Sequence, residues 1–374
     1  MSKQNRIVHI TTVHRPFDVR IFYKELQTLR KAGHGVVLIA GYDSDKVVDG
    51  IQIRAIPRMK NPYRRVVSAG YYAMKQALAE DADVYHIHDP ELLLWALILR
   101  LRGKTVIYDM HENVPFALRH KEWIPVFLRP MLSNFYRLVE RVLLHGLPII
   151  FAEKSYKENY LWHGGAEETI LNLPMIDELI TVDEAKFNTP TVGYIGDVTA
   201  QRGSLVTLNA LNILKERGTT VEWECIGSIL EQHKAELTSY INTHNLQGVR
   251  LQGRKIPAEW HPRIVKCHIG LAVLAPVPNH MKSYPTKLFE YMALGLPIIA
   301  SGFPLYSEIV EGNSCGLVVK NPTDPEELAN AIEYLITHPE EAKLMGLNGR
   351  ETVIHKYRWD VEAQKLLNYY TQFQ

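Results

Sequence analysis

The feature that most constrains this chain is an alternation. Short runs rich in Val, Ile, Leu and Ala recur between segments with helical spacing of apolar residues, from Arg6 to Ile336. Runs of this kind lack the in–out pattern of a half-exposed strand. They belong in parallel sheets covered by helices on both faces. Strands are expected at Arg6–Thr12, Val36–Ala40, Ile51–Ile56, Val84–His88, Thr105–Tyr108, Pro148–Ala152 and Ile170–Pro174. Helices fall near Ile21–Lys31, Val66–Glu80, Glu91–Arg100 and Lys154–Trp162. Residues 175–190 are polar and acidic, with Pro174 and Pro190 at their borders, and read as a linker.

The alternation then restarts. Strands are expected at Thr191–Ile195, Val221–Ile226, Val249–Gln252, Ile269–Val273, Ile298–Ala300 and Gly316–Val318, with helices at Leu205–Arg217, Leu230–Asn245 and Pro325–Ile336. The reading is an α/β chain of two Rossmann-like domains, 1–175 and 190–355. The segment 356–374 carries Trp359, Leu366, Tyr369 and Tyr370; it is too aromatic to be left in water, and reads as a helix packing back on the first domain. Ligands of such sheets bind beyond the carboxyl ends of the strands, so two in tandem predict a cleft between the domains.

Charge and cysteine content exclude several classes. The net charge of +1 demands no nucleic-acid partner. Residues 1–175 hold 24 Lys/Arg against 18 Asp/Glu, and the remainder 18 against 23, which suits one basic half meeting an anionic partner. Cys225, Cys267 and Cys315 have neither zinc-site nor disulfide spacing, so a reducing, cytoplasmic setting is expected. No run reaches the roughly 18 apolar residues of a membrane span. The basic segment Arg58–Arg65, and a helix near Arg129–His145, leave room for peripheral contact with an anionic membrane at its inner face. On that helix Leu128, Leu132, Phe135, Val139 and Val142 make one face, and Arg129, Arg137 and Arg141 another.

Two stretches carry candidate chemistry. Ser283–Ser301, SYPTKLFEYMALGLPIIAS, reads as loop, helix, turn and buried strand. The start of a helix at Thr286 and Lys287 offers free N–H groups and positive dipole character, which suit a phosphate. Glu290, one turn further in, can accept hydrogen bonds from a ribose diol. Gly193–Ser204, GYIGDVTAQRGS, links a strand to a helix. Gly196 and Gly203 permit a tight turn, and Arg202 can grip a diphosphate bidentately. It is neither the dinucleotide fingerprint nor a P-loop. Asp43-Ser44-Asp45 and Asp81-Ala82-Asp83 match an Asp-x-Asp metal pattern but lie in polar turns away from both stretches, so no metal site is assigned. His86, His88 and His111 sit at strand ends beside Asp89, Asp109 and Glu112, a clustering that favours function for His111.

Together these motifs resemble the family 4 glycosyltransferases. The likeness rests on the Gly196–Arg202–Gly203 turn and TKLFEYMALGLPIIAS. It extends to DVRIFYKEL (18–26), VYHIHDPELL (84–93) and YDMHENVP (108–115). The Asp18–Arg20 loop resembles a branch of bacterial polysaccharide and glycolipid enzymes. The resemblance implies a GT-B fold, with two Rossmann-like domains facing across a cleft. It also implies retaining transfer of a sugar from a nucleotide-sugar, with a UDP-sugar as the expected donor and no metal required. The acceptor would be a saccharide or lipid-linked glycan.

Donor contacts would come from Gly196, Arg202, Gly227, Arg254, Ser283, Tyr284, Thr286, Lys287 and Glu290. His111 and Arg202 would be catalytic. Asp18, Arg20, His88 and Asp89 are the acceptor candidates. Lys282 stands where the family's first motif Glu would fall, which argues against a carboxylate nucleophile there. A nucleotide-sugar 2-epimerase and an inactive binding subunit are the alternatives on this fold.

Overall fold

A computed structural model describes residues 5–373, except 60, 62–64, 121–123 and 181–183. Part of the basic segment Arg58–Arg65, and part of the expected linker, lie outside the described residues. The chain forms two compact units, 1–172 with 360–374, and 173–359.

The first unit holds an eight-stranded sheet. Its strands are β1 (Arg6–Ile10), β2 (Gly35–Gly41), β3 (Lys46–Val48), β4 (Ile51–Ile56), β5 (Val84–Ile87), β6 (Thr105–Met110), β7 (Ile149–Phe151) and β8 (Glu167–Thr169), in the order β3-β4-β2-β1-β5-β6-β7-β8. All pairs are parallel except β3 with β4. The central strands are sequestered on both faces, as their apolar runs require: Ile7, Val8, Leu38, Ile39 and Ile107 are all fully buried.

Two expected elements differ. Residues 170–174 are not a strand, and only Lys154–Lys157 of the expected 154–162 helix is helical. The backbone at 170–171 is satisfied instead by side chains, for Arg20 Nη1 donates to the Ile170 carbonyl and Glu362 accepts from the Leu171 N–H. The helix Trp359–Tyr370 contributes Tyr369, which donates to the Ile149 and Ala166 carbonyls, and Tyr370, which is fully buried.

The second unit holds a six-stranded, all-parallel sheet of β9 (Thr191–Ile195), β10 (Glu222–Ile226), β11 (Val249–Leu251), β12 (Ile269–Ala272), β13 (Ile298–Ser301) and β14 (Gly316–Val319), in the order β11-β10-β9-β12-β13-β14. Helices Pro257–Ile264, Pro304–Val310 and Pro339–His355 were not expected; each opens on a proline, whose fixed φ suits the first helical turn.

The helix Thr286–Ala293 is locked to this sheet by Tyr291. The Tyr291 hydroxyl accepts from the Ile195 N–H (3.0 Å) and donates to the Leu271 carbonyl (3.2 Å), tying the helix to β9 and β12. Its ring lies where a Cβ on Gly270 would come within 2.4 Å, so only glycine admits it.

Candidate functional site

In the second unit the loops after β9, β10 and β11 stack on one another. Gly196 N–H donates to the Ile226 carbonyl, Val198 N–H to that of Ser228, and Gly227 N–H to that of Gly253. The packing is too close for side chains: a Cβ on Gly227 would stand 1.7 Å from the Gly196 carbonyl oxygen, and Gly196 itself has φ 115°. Arg254 follows Gly253 on this edge and is exposed.

Lys287 points into the same place from its helix. Its Nζ lies 3.8 Å from the centre of the Tyr194 ring and 3.4 Å from where a Gly196 Cβ would be. The residue is buried, and among the described residues Nζ has no hydrogen-bond partner. Burial first, then the nearby Arg202 charge, bring the Lys287 ammonium down to about 7, with Glu290 pulling the other way.

Arg202, at the end of the short turn Ala200–Arg202, is half-buried beside the Tyr194 hydroxyl. Ser283, Tyr284, Thr286 and Glu290 are half-buried along the helix entrance and its first turns, while Lys282 is exposed. A floor of two cations beneath a glycine loop can hold a polyvalent anion, because it supplies charge and N–H donors where an anion lacks competition from water.

In the first unit the carboxyl ends of β1, β5 and β6 meet in a cluster of histidines and acids. Asp109 accepts from Arg20 Nε (3.0 Å) and Nη2 (2.9 Å) and lies 2.8 Å from His111 Nε2. Burial works to raise the Asp109 carboxyl, but Arg20 and then His111 outweigh it and hold it well below the usual carboxylate range. Arg20 is 3% exposed, His88 1% and Asp89 2%. All three acceptor candidates are thus buried. Arg20 is spent on Asp109 and the Ile170 carbonyl. Asp89 accepts from Thr11 Oγ1, Thr12 and the Val13 N–H, and so shapes the loop after β1. His88 faces His9 and Asp109. All three are engaged in hydrogen bonds within the first unit.

Asp18 remains partly exposed as the N-cap of the helix Val19–Leu26, accepting from the Arg20 and Ile21 N–H groups. Partial burial opposes its ionisation, yet His14 and the Ile21 N–H bring it down to about 2. His111 is half-buried, and His14 lies beside it with ring centres 4.8 Å apart. Sequence reasoning passed over His14; its spacing of four from Asp18 was the available signal, since His14 Nδ1 lies 3.6 Å from Asp18.

The basic helix is Arg129–Leu143. Its expected apolar face is corrected, for Ser133, Glu140 and Leu143 face inward while Met131, Phe135, Leu138 and Val142 are 59–71% exposed. Arg129 donates to the Ile124 carbonyl, whereas Arg137 and Arg141 are exposed. Among the described residues no helix is long and apolar enough to cross a membrane.

Comparison with known proteins returns a consistent picture. Residues 189–338 match the model described as glycosyl transferases group 1, and residues 19–146 match glycosyltransferase family 4. The capsular polysaccharide biosynthesis glycosyltransferase CapM of Staphylococcus aureus is 22% identical over 183 residues, 49% of this chain and 46% of CapM. The chain thus spans about half the length of that curated relative. Among solved structures, the sucrose-phosphate synthase of Thermosynechococcus elongatus superposes with a TM-score of 0.75 at 17% identity, covering 99% of both chains. Anabaena Alr3699/HepE, in complex with UDP and glucose, gives 0.74 at 14% identity, covering 99% of this chain and 100% of its own. At these identities the structural likeness speaks to fold alone, which is GT-B.

Proposed function

The chain belongs to the family 4 glycosyltransferases, and on that premise we propose that it moves a sugar from a nucleoside-diphosphate sugar to a saccharide or lipid-linked glycan, with retention at the anomeric carbon. The observation that carries the donor half is the buried, unpartnered Lys287 ammonium against Gly196, with Arg202 beside Tyr194. An isolated buried cation is costly in an apolar setting and is stabilised by an arriving anion.

Arg202 and Lys287 take up the charge that develops on the diphosphate as it leaves, which is electrostatic stabilisation. Glu290 holds the ribose hydroxyls, and the loops at Gly227 and Arg254 face the base. His111, held by Asp109, contacts the transferred sugar, with His14 and Asp18 on the acceptor side. No carboxylate serves as nucleophile, since Lys282 occupies the first motif position. The departing diphosphate receives the acceptor's proton on the same face. The donor is a UDP-sugar, in keeping with a structural neighbour that binds UDP. The transferase reading stands over a 2-epimerase because the reported curated relative is a glycosyltransferase.

A panel of UDP, GDP, ADP and TDP in thermal shift tests the donor half. One should raise Tm as expected for about 2.7 kcal/mol at 100 times Kd. Nucleotide release from the sugar donor should require an added glycan acceptor. Release without acceptor at the same rate would overturn transfer.

The stripe Met131, Phe135, Leu138 and Val142, edged by Arg137 and Arg141, serves contact with an anionic membrane that presents a lipid-linked acceptor. Vesicles with anionic lipid should bind the chain at low salt and release it as salt rises. Reversing Arg137 and Arg141 should abolish that binding; retention in the variant would remove this reading.

A further inference from the structure

The polar cluster of the first unit contains atoms that the proposed transfer does not use. We propose that His9, His88, Glu25 and His86 form a closed site for a divalent transition-metal ion, zinc foremost, that braces the first unit. This goes beyond glycosyl transfer and fails or stands independently of it.

The geometry carries the inference. His9 Nδ1 and His88 Nε2 are 2.9 Å apart, and Glu25 Oε2 lies 3.8 Å from the first and 4.0 Å from the second. A triangle with these sides has its centre about 2.1 Å from each corner. That is the length of a zinc bond to imidazole nitrogen or carboxylate oxygen. His86 adds a fourth candidate ligand, for each of the four side chains offers one ligand atom within 4.8 Å of the others'. All four side chains are fully buried.

Hydrogen bonding accounts for only half of this set. An N–H···N bond between His9 and His88 would satisfy those two. It would leave both Glu25 oxygens and His86 Nε2, none of which has a hydrogen-bond partner among the described residues. Arg20 Nε approaches Glu25 Oε1 at 2.9 Å but directs its N–H to Asp109. A cation at the centre engages His9, His88 and a Glu25 oxygen at once, with His86 alongside.

The far nitrogen of each imidazole is also held, as metal-bound histidines require. His88 Nδ1 faces Asp109 at 3.2 Å, and the Tyr370 hydroxyl faces His86 Nδ1 at 2.7 Å and His9 Nε2 at 3.3 Å. Three nitrogens and one carboxylate oxygen, without sulfur, suit zinc and its neighbours better than the oxygen-seeking magnesium or calcium.

The backbone explains why the ligands converge. His9 and His86 are register partners on β1 and β5, His88 follows β5 by one residue, and Glu25 faces them from the helix Val19–Leu26. Full burial leaves no side open to substrate, so the ion is structural and lies apart from the donor's diphosphate loops. It therefore does not conflict with transfer chemistry that needs no metal.

The test uses the whole chain without a metal-binding tag, expressed in zinc-supplemented medium, desalted and weighed for metal by plasma mass spectrometry. About one zinc per chain is expected, as for a site coupled to folding. Glu25→Gln and His9→Gln should each lower that content about tenfold or more. Because a cluster variant can fail to fold, the unmodified chain grown with cobalt gives a second readout, the visible absorption of a nitrogen- and oxygen-bound Co²⁺. Replacing Cys225, Cys267 and Cys315 with Ser should leave metal content unchanged. Absence of both stoichiometric zinc and the cobalt band overturns the site. So does metal retained in a folded cluster variant, or metal lost with the cysteines.

Discussion

The two units bury charge in opposite senses. In the first, acceptors converge: Glu25 and His86 bring unpartnered atoms to a cluster with His9 and His88. In the second, Lys287 Nζ is an unpartnered donor under a glycine loop with a second cation close by. A convergence of acceptors selects a cation, and one of donors selects an anion. The comparison teaches that incomplete polar satisfaction is informative through its sign. It also separates scaffold from chemistry. The first unit's unpartnered atoms are sealed, while Arg202 and Glu290 beside Lys287 retain exposure.

The largest expected effect breaks the second unit's half of this contrast at its half-buried cation. Arg202→Ala should lower kcat by about 10²–10³-fold with saturating donor, the scale of a lost charge-stabilising donor. Its effect on the Kd of the bare nucleoside diphosphate should be smaller. An unchanged kcat would leave Lys287 alone to carry the leaving-group charge.

Next is Lys287→Met, which should weaken nucleoside diphosphate binding by about 2–3 kcal/mol while raising Tm, since it removes an unpaired buried amine. A fall in Tm would mean the amine is part of the fold and not of the donor site. The pH dependence follows in sign. The free ammonium titrates near 7, and a bound diphosphate favours its charged form. Affinity in the parent should therefore be full below pH 7 and decline above it, and the Met variant should lose that slope.

The smallest effect sharpens the contrast with a buried acid that belongs to neither site. Glu140 on the basic helix accepts from the Tyr160 hydroxyl at 3.0 Å, and burial pushes its carboxyl up to about 7. A pKa raised on folding contributes stability that is whole below the unfolded value near 4.3 and is lost as pH rises through 7. Glu140→Gln, read by denaturant melts, should match the parent below about pH 4 and exceed it by about 1–3 kcal/mol at pH 8. A constant difference across that range would exclude titration of Glu140 as its cause.

The sheets were legible because parallel strands buried on both faces announce themselves as apolar runs; Thr191–Ile195 and Ile51–Ile56 fall where they were read. β3 was not legible, being three residues long on an exposed edge. The stretch 170–174 is as apolar as a strand, but Arg20 and Glu362 take its backbone groups, and these side chains lie 150 and 191 residues away in sequence from the groups they bind. The glycine loop and the helix carrying Glu290 could be read from local order. The burial of Lys287 could not, because a lysine at helical spacing looks solvated until Tyr194 covers it. The burial of Arg20, His88 and Asp89 was hidden for the converse reason. Polar residues at strand ends resemble ligand contacts, and only tertiary packing reveals that they hold one another.

Tyr370 places its hydroxyl between His9 and His86, on the first and fifth strands of the first unit. Residues 173–359, the whole of the second unit, lie between those partners in the sequence. A ribosome must therefore finish the second unit before the first can close its polar centre. Until then His9 and His86 lack the hydroxyl that Tyr370 supplies. A nascent chain halted between them lacks Tyr370 and cannot complete that centre.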